Sequence, residues 1–164
     1  MFSLLILLAL SVFMVGLAIA KYSHDQSTRY WDSYAAIFAS EVKYPLILHS
    51  SVGIANSAAN FTDHKNVIAA VVYDENGQRI SPNNSTHICR DKKNTWMMDL
   101  FPSGQDLFCV RQPIYQSINN QSGQTTKGKI GTVELIISQQ ENAALMDKIW
   151  LVLVLFVATV LLAA

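Results

Sequence analysis

An arginine in the middle of an apolar, β-branched run is the feature of this chain with the most evident chemical use. Arg111 stands within DLFCVRQPIY, Asp106–Tyr115. A guanidinium fork binds a carboxylate or phosphate through two parallel N–H···O bonds, so a strand that carries one can present an anion site. Alternate residues of a strand share a face. That rule groups Arg111 with Cys109, Pro113 and Tyr115, and puts Phe108, Val110 and Ile114 on the other side. If the even-numbered face packs on helices, Arg111 faces solvent. If the odd-numbered face lies under them, Arg111, Tyr73 and Tyr115 line a pocket. Arg79, just after a turn, adds a second cation. Tyr73, Arg79, Arg111 and Tyr115 are therefore the candidate ligand-binding set.

Other reactive residue types are sparse. His24, His49, His64 and His87 show no metal-ligand spacing, and His87-x-Cys89 is half of a metal pattern. No C-x-x-C pair, P-loop or G-x-S-x-G segment occurs, and no carboxylates are spaced for acid–base work. The reading is of a chain with no catalytic residues, no metal site and no cofactor. Cys89 and Cys109 are the two cysteines. An exported domain would bridge them, closing a loop of about 20 residues and contributing about 3 kcal/mol. The alternative is two reduced thiols in a cytosolic domain.

The elements that must position these residues lie between two apolar ends. The chain has 164 residues, 51% hydrophobic and 15% charged, with 12 basic residues against 12 acidic. Every charge falls within residues 21–148. Zero net charge offers no electrostatic reason for nucleic-acid binding. Phe2–Ala20 and Ile149–Ala164 carry no charge. A membrane-spanning helix needs about 20 apolar residues, so the first stretch is expected to be a transmembrane helix over 2–20. The second is expected to be a shortened one over 149–164, spanning about 24 Å. Ala18-Ile19-Ala20 also fits a signal-peptide cleavage site, the competing reading of the first stretch. The abrupt second end reads as a piece of a longer protein. The alternative there is a complete small membrane protein.

Between them, residues 21–148 read as one domain. Tyr30, Tyr34, Ile37, Phe38, Glu41 and Val42 recur at helical steps, with Trp31 beside them. This helix would run out of the first span until Pro45 kinks or ends it. A second, looser helix follows. Val67–Tyr73 is a β-branched run that ends at Asp74-Glu75-Asn76-Gly77 and resumes at Gln78–Ile80, which predicts a hairpin. Thr95–Phe101 suggests a helical turn, Asp106–Tyr115 a strand, Ser117–Lys129 a loop and Ile130–Ser138 the last strand. A helical lead to the second apolar end follows. Helices on one face of an antiparallel sheet make the fold class α+β.

The pieces in order resemble the single-Cache (PAS-like) periplasmic sensor of bacterial transmembrane receptors. They are most like the input domain of hybrid histidine kinases that control the carbon-storage regulatory cascade. The resemblance rests on YPLILHSSVGIAN, VIAAVVYDENGQRI, VRQPIYQS and KIGTVELIIS. It implies two transmembrane helices flanking an antiparallel sheet packed by the long N-terminal helix. It further implies an inner-membrane protein with residues 21–148 in the periplasm, a homodimer, and a small organic acid as ligand. The signal would pass to a cytoplasmic output module, a histidine kinase in the closest case. A cyclic-di-GMP cyclase or phosphodiesterase uses similar sensors and is the first alternative. A stand-alone membrane-anchored assembly protein is the second. Cys89, Cys109 and the WMMDLF segment match no part of the family's pattern.

Overall fold

The computed structural model describes residues 2–81, 90–91, 107–119, 125–138 and 140–162. In chain order they form α1 (Phe2–Ile47), α2 (Ser51–Thr62), β1 (Val67–Asp74), β2 (Arg90–Asp91), β3 (Leu107–Asn119), β4 (Thr125–Ser138) and α3 (Gln140–Leu162). The class is α+β. The described residues divide into two compact units, one of residues 2–28 with 140–162, the other of the rest. Expectations for Cys89, His87 and Thr95–Phe101 fall outside the described residues.

The two expected transmembrane helices are corrected. Among the described residues, no helix is long and apolar enough to cross a membrane. The apolar start of α1 does not form a separate span. It runs unbroken into Lys21, His24, Asp25 and Arg29, in one helix of 46 residues and mixed character. In α3, Glu141, Asp147 and Lys148 precede the apolar part. What remains helical after them, residues 149–162, covers about 21 Å, short of the hydrocarbon thickness. In this unit Phe13 meets Trp150 with ring centroids 6.4 Å apart.

Pro45 lies in the last turn of α1, which ends two residues later at Ile47. His49 then takes a φ of 51°, the left-handed conformation that closes helices and that glycine adopts most easily. The amides of His49 and Ser50 reach back to the carbonyls of Leu46 and Pro45 at 3.1 and 2.9 Å. Ser50 caps α2, its Oγ accepting from the Gly53 amide at 3.1 Å.

The face of α1 that enters the core is Trp31, Ala35, Phe38, Ala39, Val42 and Leu46. Tyr30 and Ile37, expected on the stripe, are exposed, and so is Glu41. The buried face is thus rotated by about one residue from the expected one. Phe38 meets Phe61 of α2 with centroids 4.6 Å apart. Around them close Ile54, Val72, Phe108, Val110, Ile114, Val133, Leu135 and Ile137.

The sheet runs in the order β1-β4-β3-β2. Strands β1 and β3 both pair antiparallel with β4, from Val67↔Ile137 to Asp74↔Gly131 and from Leu107↔Ser138 to Asn119↔Thr125. The two-residue β2 pairs parallel with β3. The expected hairpin after β1 forms: Tyr73 and Arg79 bridge antiparallel, the Asp74 amide donates to the Gln78 carbonyl at 2.9 Å and the Ile80 amide to the Val72 carbonyl at 2.9 Å. One expectation changes here. Most of the expected loop Ser117–Lys129 is strand, because β3 and β4 keep pairing to Asn119↔Thr125. Gly77, at φ 78°, makes the turn after β1 possible.

Gly131 is required for a different reason. A Cβ there would stand 2.6 Å from the Tyr73 carbonyl and 2.7 Å from Leu46 Cδ2. Since backbone cannot yield as a side-chain tip does, Gly131→Ala is expected to destabilise the protein by about 1–3 kcal/mol. Thermal or urea unfolding reads this directly, and an unchanged midpoint would contradict the close approach.

Candidate functional site

Alternation along three neighbouring strands decides which side chains meet. Phe108, Val110 and Ile114 of β3 belong to the core shared with α1 and α2. The even-numbered face therefore packs on the helices, and Arg111 lies on the other. That second face is also buried in part, around Ala69, Val71, Cys109 and Ile136, with Tyr73 and Leu107 against them. Cys109 is disulfide-bonded. The register sets Arg111 of β3 opposite Glu134 of β4, and Glu134 opposite Val71 of β1. Tyr73 lies one pleat repeat further along β1, within reach of a long side chain.

These positions form a bonded network. Arg111 Nε donates to Glu134 Oε1 at 2.7 Å, and Tyr73 Oη donates to Glu134 Oε2 at 2.6 Å. The environments of the paired groups differ sharply. The Arg111 side chain is 69% exposed, whereas that of Glu134 is 4% exposed. A buried carboxylate survives as an anion only if its lone pairs are matched by donors, and this one has an arginine on one oxygen and a phenol on the other. Burial pushes the Tyr73 phenol above its ordinary value. The bond to Glu134 pushes the same way, and Arg79 and Arg111 oppose it. The phenol therefore remains a donor throughout the neutral range. Its contribution to stability is complete below the ordinary tyrosine value and is lost as pH rises through the raised one.

The expected set is only partly brought together. Tyr73 and Arg111 share the network through Glu134. Arg79 sits close enough to Tyr73 to act on its phenol electrostatically, and bridges it through the backbone. Tyr115 stands apart, past the irregularity between Ile114 and Tyr115, and is about half exposed. It takes no part in the bonds by which Tyr73 and Arg111 meet on Glu134. Glu134 is the functional residue that sequence reasoning missed. Its signal was present: a lone carboxylate inside the apolar run Val133–Ile137 needs a buried partner, and Arg111 is the mid-strand cation able to supply one.

Chemically, the arrangement holds a guanidinium in a fixed plane at the surface with a phenol nearby. It offers no nucleophile–base pair. Among the described residues, no group of three or more His, Cys, Asp or Glu side chains is placed to hold a metal ion. The chain matches no protein-family model, and no curated protein matches its sequence.

Proposed function

We propose that the sheet-bearing unit is a ligand-sensing input domain of the single-Cache kind. A small organic carboxylate docks on Arg111, and the occupied domain drives a signalling output module such as a histidine kinase. The observation that carries the reading is the Tyr73–Glu134–Arg111 network. It spans three strands and fixes an exposed guanidinium through its Nε. A fork held in this way is preorganised, which lowers the entropy lost on binding. The disulfide-bonded Cys109 supports an oxidising, extracytoplasmic setting. A homodimer belongs to the same proposal. Tyr30, Ile37 and Tyr44 are exposed and recur every seven residues on α1, a spacing that lets two copies of a helix pack together.

The test uses the full chain with acetate and succinate as probes. A ligand that binds only the folded form raises the unfolding temperature, the gain growing with the logarithm of its concentration once that exceeds Kd. At least one of the two acids is expected to do so in the wild type. Arg111→Lys keeps the charge beside Glu134 and removes the fork, so its response is expected to fall at least tenfold. An equal response in that variant, or no response of the wild type to either acid, would overturn the assignment.

A further inference from the structure

The direction of one proton decides how Tyr73 can act at the sheet face that carries Arg111. Tyr73 of β1 stands directly opposite Thr132 of β4, and Val71, two residues earlier, stands opposite Glu134. The phenol therefore reaches Glu134 along a diagonal from β1, while Arg111 approaches the same carboxylate from β3. The two donors take different oxygens. Tyr73 Oη bonds Oε2 at 2.6 Å, and Arg111 Nε bonds Oε1 at 2.7 Å. The phenol bond has the length of a charge-assisted O–H···O⁻ bond. A phenol carries one O–H, and here it points at Glu134. Toward a carboxylate ligand the Tyr73 oxygen then presents only lone pairs, which repel an anion. The sequence groups Tyr73 with the residues that touch a ligand, and the bonding gives it a different place.

We propose that Tyr73 is a positioning residue of the anion site, setting the affinity of Arg111 for a carboxylate through Glu134 without touching the ligand. This role rests on the reading of Arg111 as the anion site. Glu134 acts on Arg111 in two opposed ways. Its Oε1 holds the guanidinium through Nε. Its negative charge, buried and close by, also offsets the positive charge that draws an anion. The phenol bond strengthens the first effect and weakens the second. It anchors Oε2, so the carboxylate stays turned toward Nε, and it takes up part of the carboxylate's charge. Burial enlarges both effects, because little water competes at a side chain only 4% exposed.

The experiment is titration calorimetry of the full chain with acetate and succinate, from neutral pH upward through the raised range of the Tyr73 phenol. Tyr73→Phe keeps the ring and removes the donor, and is expected to weaken acid binding at neutral pH at least fivefold. In the wild type, binding is expected to fall as the phenol ionises, since a second negative charge then lies beside Glu134. Burial and the bond to Glu134 place that fall above the ordinary tyrosine range. The charged groups facing the phenol are Glu134 of β4, Arg111 of β3 and Arg79 beyond the turn, and arginine keeps its charge throughout. The alkaline fall is therefore expected to be absent from Tyr73→Phe, which a purely packing role would not bring about. Replacing Tyr73 by 3-fluorotyrosine, a more acidic phenol of nearly the same size, should restore neutral binding and move the fall to lower pH.

Unweakened acid binding in Tyr73→Phe, or an alkaline fall that persists in it, would overturn the proposal. If the wild type binds neither acid, the anion site falls and this control of it falls too. If the wild type binds, Arg111→Lys does not and Tyr73→Phe is unaltered, the anion site stands and only the role of Tyr73 is lost.

Discussion

Phe38→Ala is expected to cost about 3–5 kcal/mol, the largest effect of any single substitution considered. Phe38 is fully buried, its ring 4.6 Å from that of Phe61, in the one core that α1, α2 and the sheet share. Truncation removes the transfer free energy of the ring and leaves a cavity that three rigid elements cannot collapse. Urea unfolding should show a lower midpoint at an unchanged slope, since the same surface is exposed on unfolding. The neighbouring Ile37→Ala is the internal comparison. Ile37 is 58% exposed, and its truncation should stay within about 0.5 kcal/mol. Equal effects at the two positions would mean that the buried face of α1 is placed wrongly.

The second large effect is an asymmetry within one ion pair. Arg111→Ala is expected to cost about 2–3 kcal/mol, because it takes a charged partner from a carboxylate that stays buried. Glu134→Gln should cost about 1 kcal/mol, since the cation left behind already sits in solvent and the amide oxygen can still accept from Tyr73. The order is the reverse of what exposure alone suggests, where the exposed residue would be the harmless one to change. A double variant, Arg111→Ala with Glu134→Leu, removes both the charge and the demand for a partner. It should recover most of the loss. Equilibrium unfolding of the wild type, Arg111→Ala, Glu134→Leu and the double variant completes the cycle, and additive losses would show that the two side chains do not depend on one another.

Much of the architecture was legible from periodicity, and the misreadings have specific physical causes. The helix through Trp31, Phe38 and Val42 is plain in the spacing, but which side of it faces inward is not. Tyr30, Tyr34 and Ile37 make an equally apolar stripe, and only the sheet decides between the two. The hairpin after β1 is legible because its signal is local: Asp74–Gly77 makes the turn and Ile80 returns to the Val72 carbonyl. The longer partner of β1, Ile130–Ser138, lies far along the chain and is chosen by apolar pairing along the whole strand. Ser117–Lys129 looked like a loop from its polar composition. Long-range pairing overrides that weak propensity through Ser117↔Lys127 and Ile118↔Thr126.

The apolar ends misled through composition. A charge-free stretch was read as an element of its own, while in the structure each is part of a longer mixed helix. The site was half visible. Arg111 and Tyr73 stand out in the sequence as residues able to hold an anion, whereas the demand of a buried strand for a neutralised carboxylate has no comparable local signature. Glu134 follows only from that demand, and so does the fact that Arg111 is oriented rather than loose.

The position of β4 has a consequence for how the protein is made. The strand that comes last in the chain lies between β1 and β3, and those two do not pair with each other. While synthesis is under way, β1 therefore waits with an open edge until residues 125–138 have left the ribosome. Sequence-distant closure of this kind is slow and leaves apolar edges uncovered in the meantime. A nascent chain stalled before Thr125 should remain protease-sensitive and bind holdase chaperones, and one released beyond Ser138 should not.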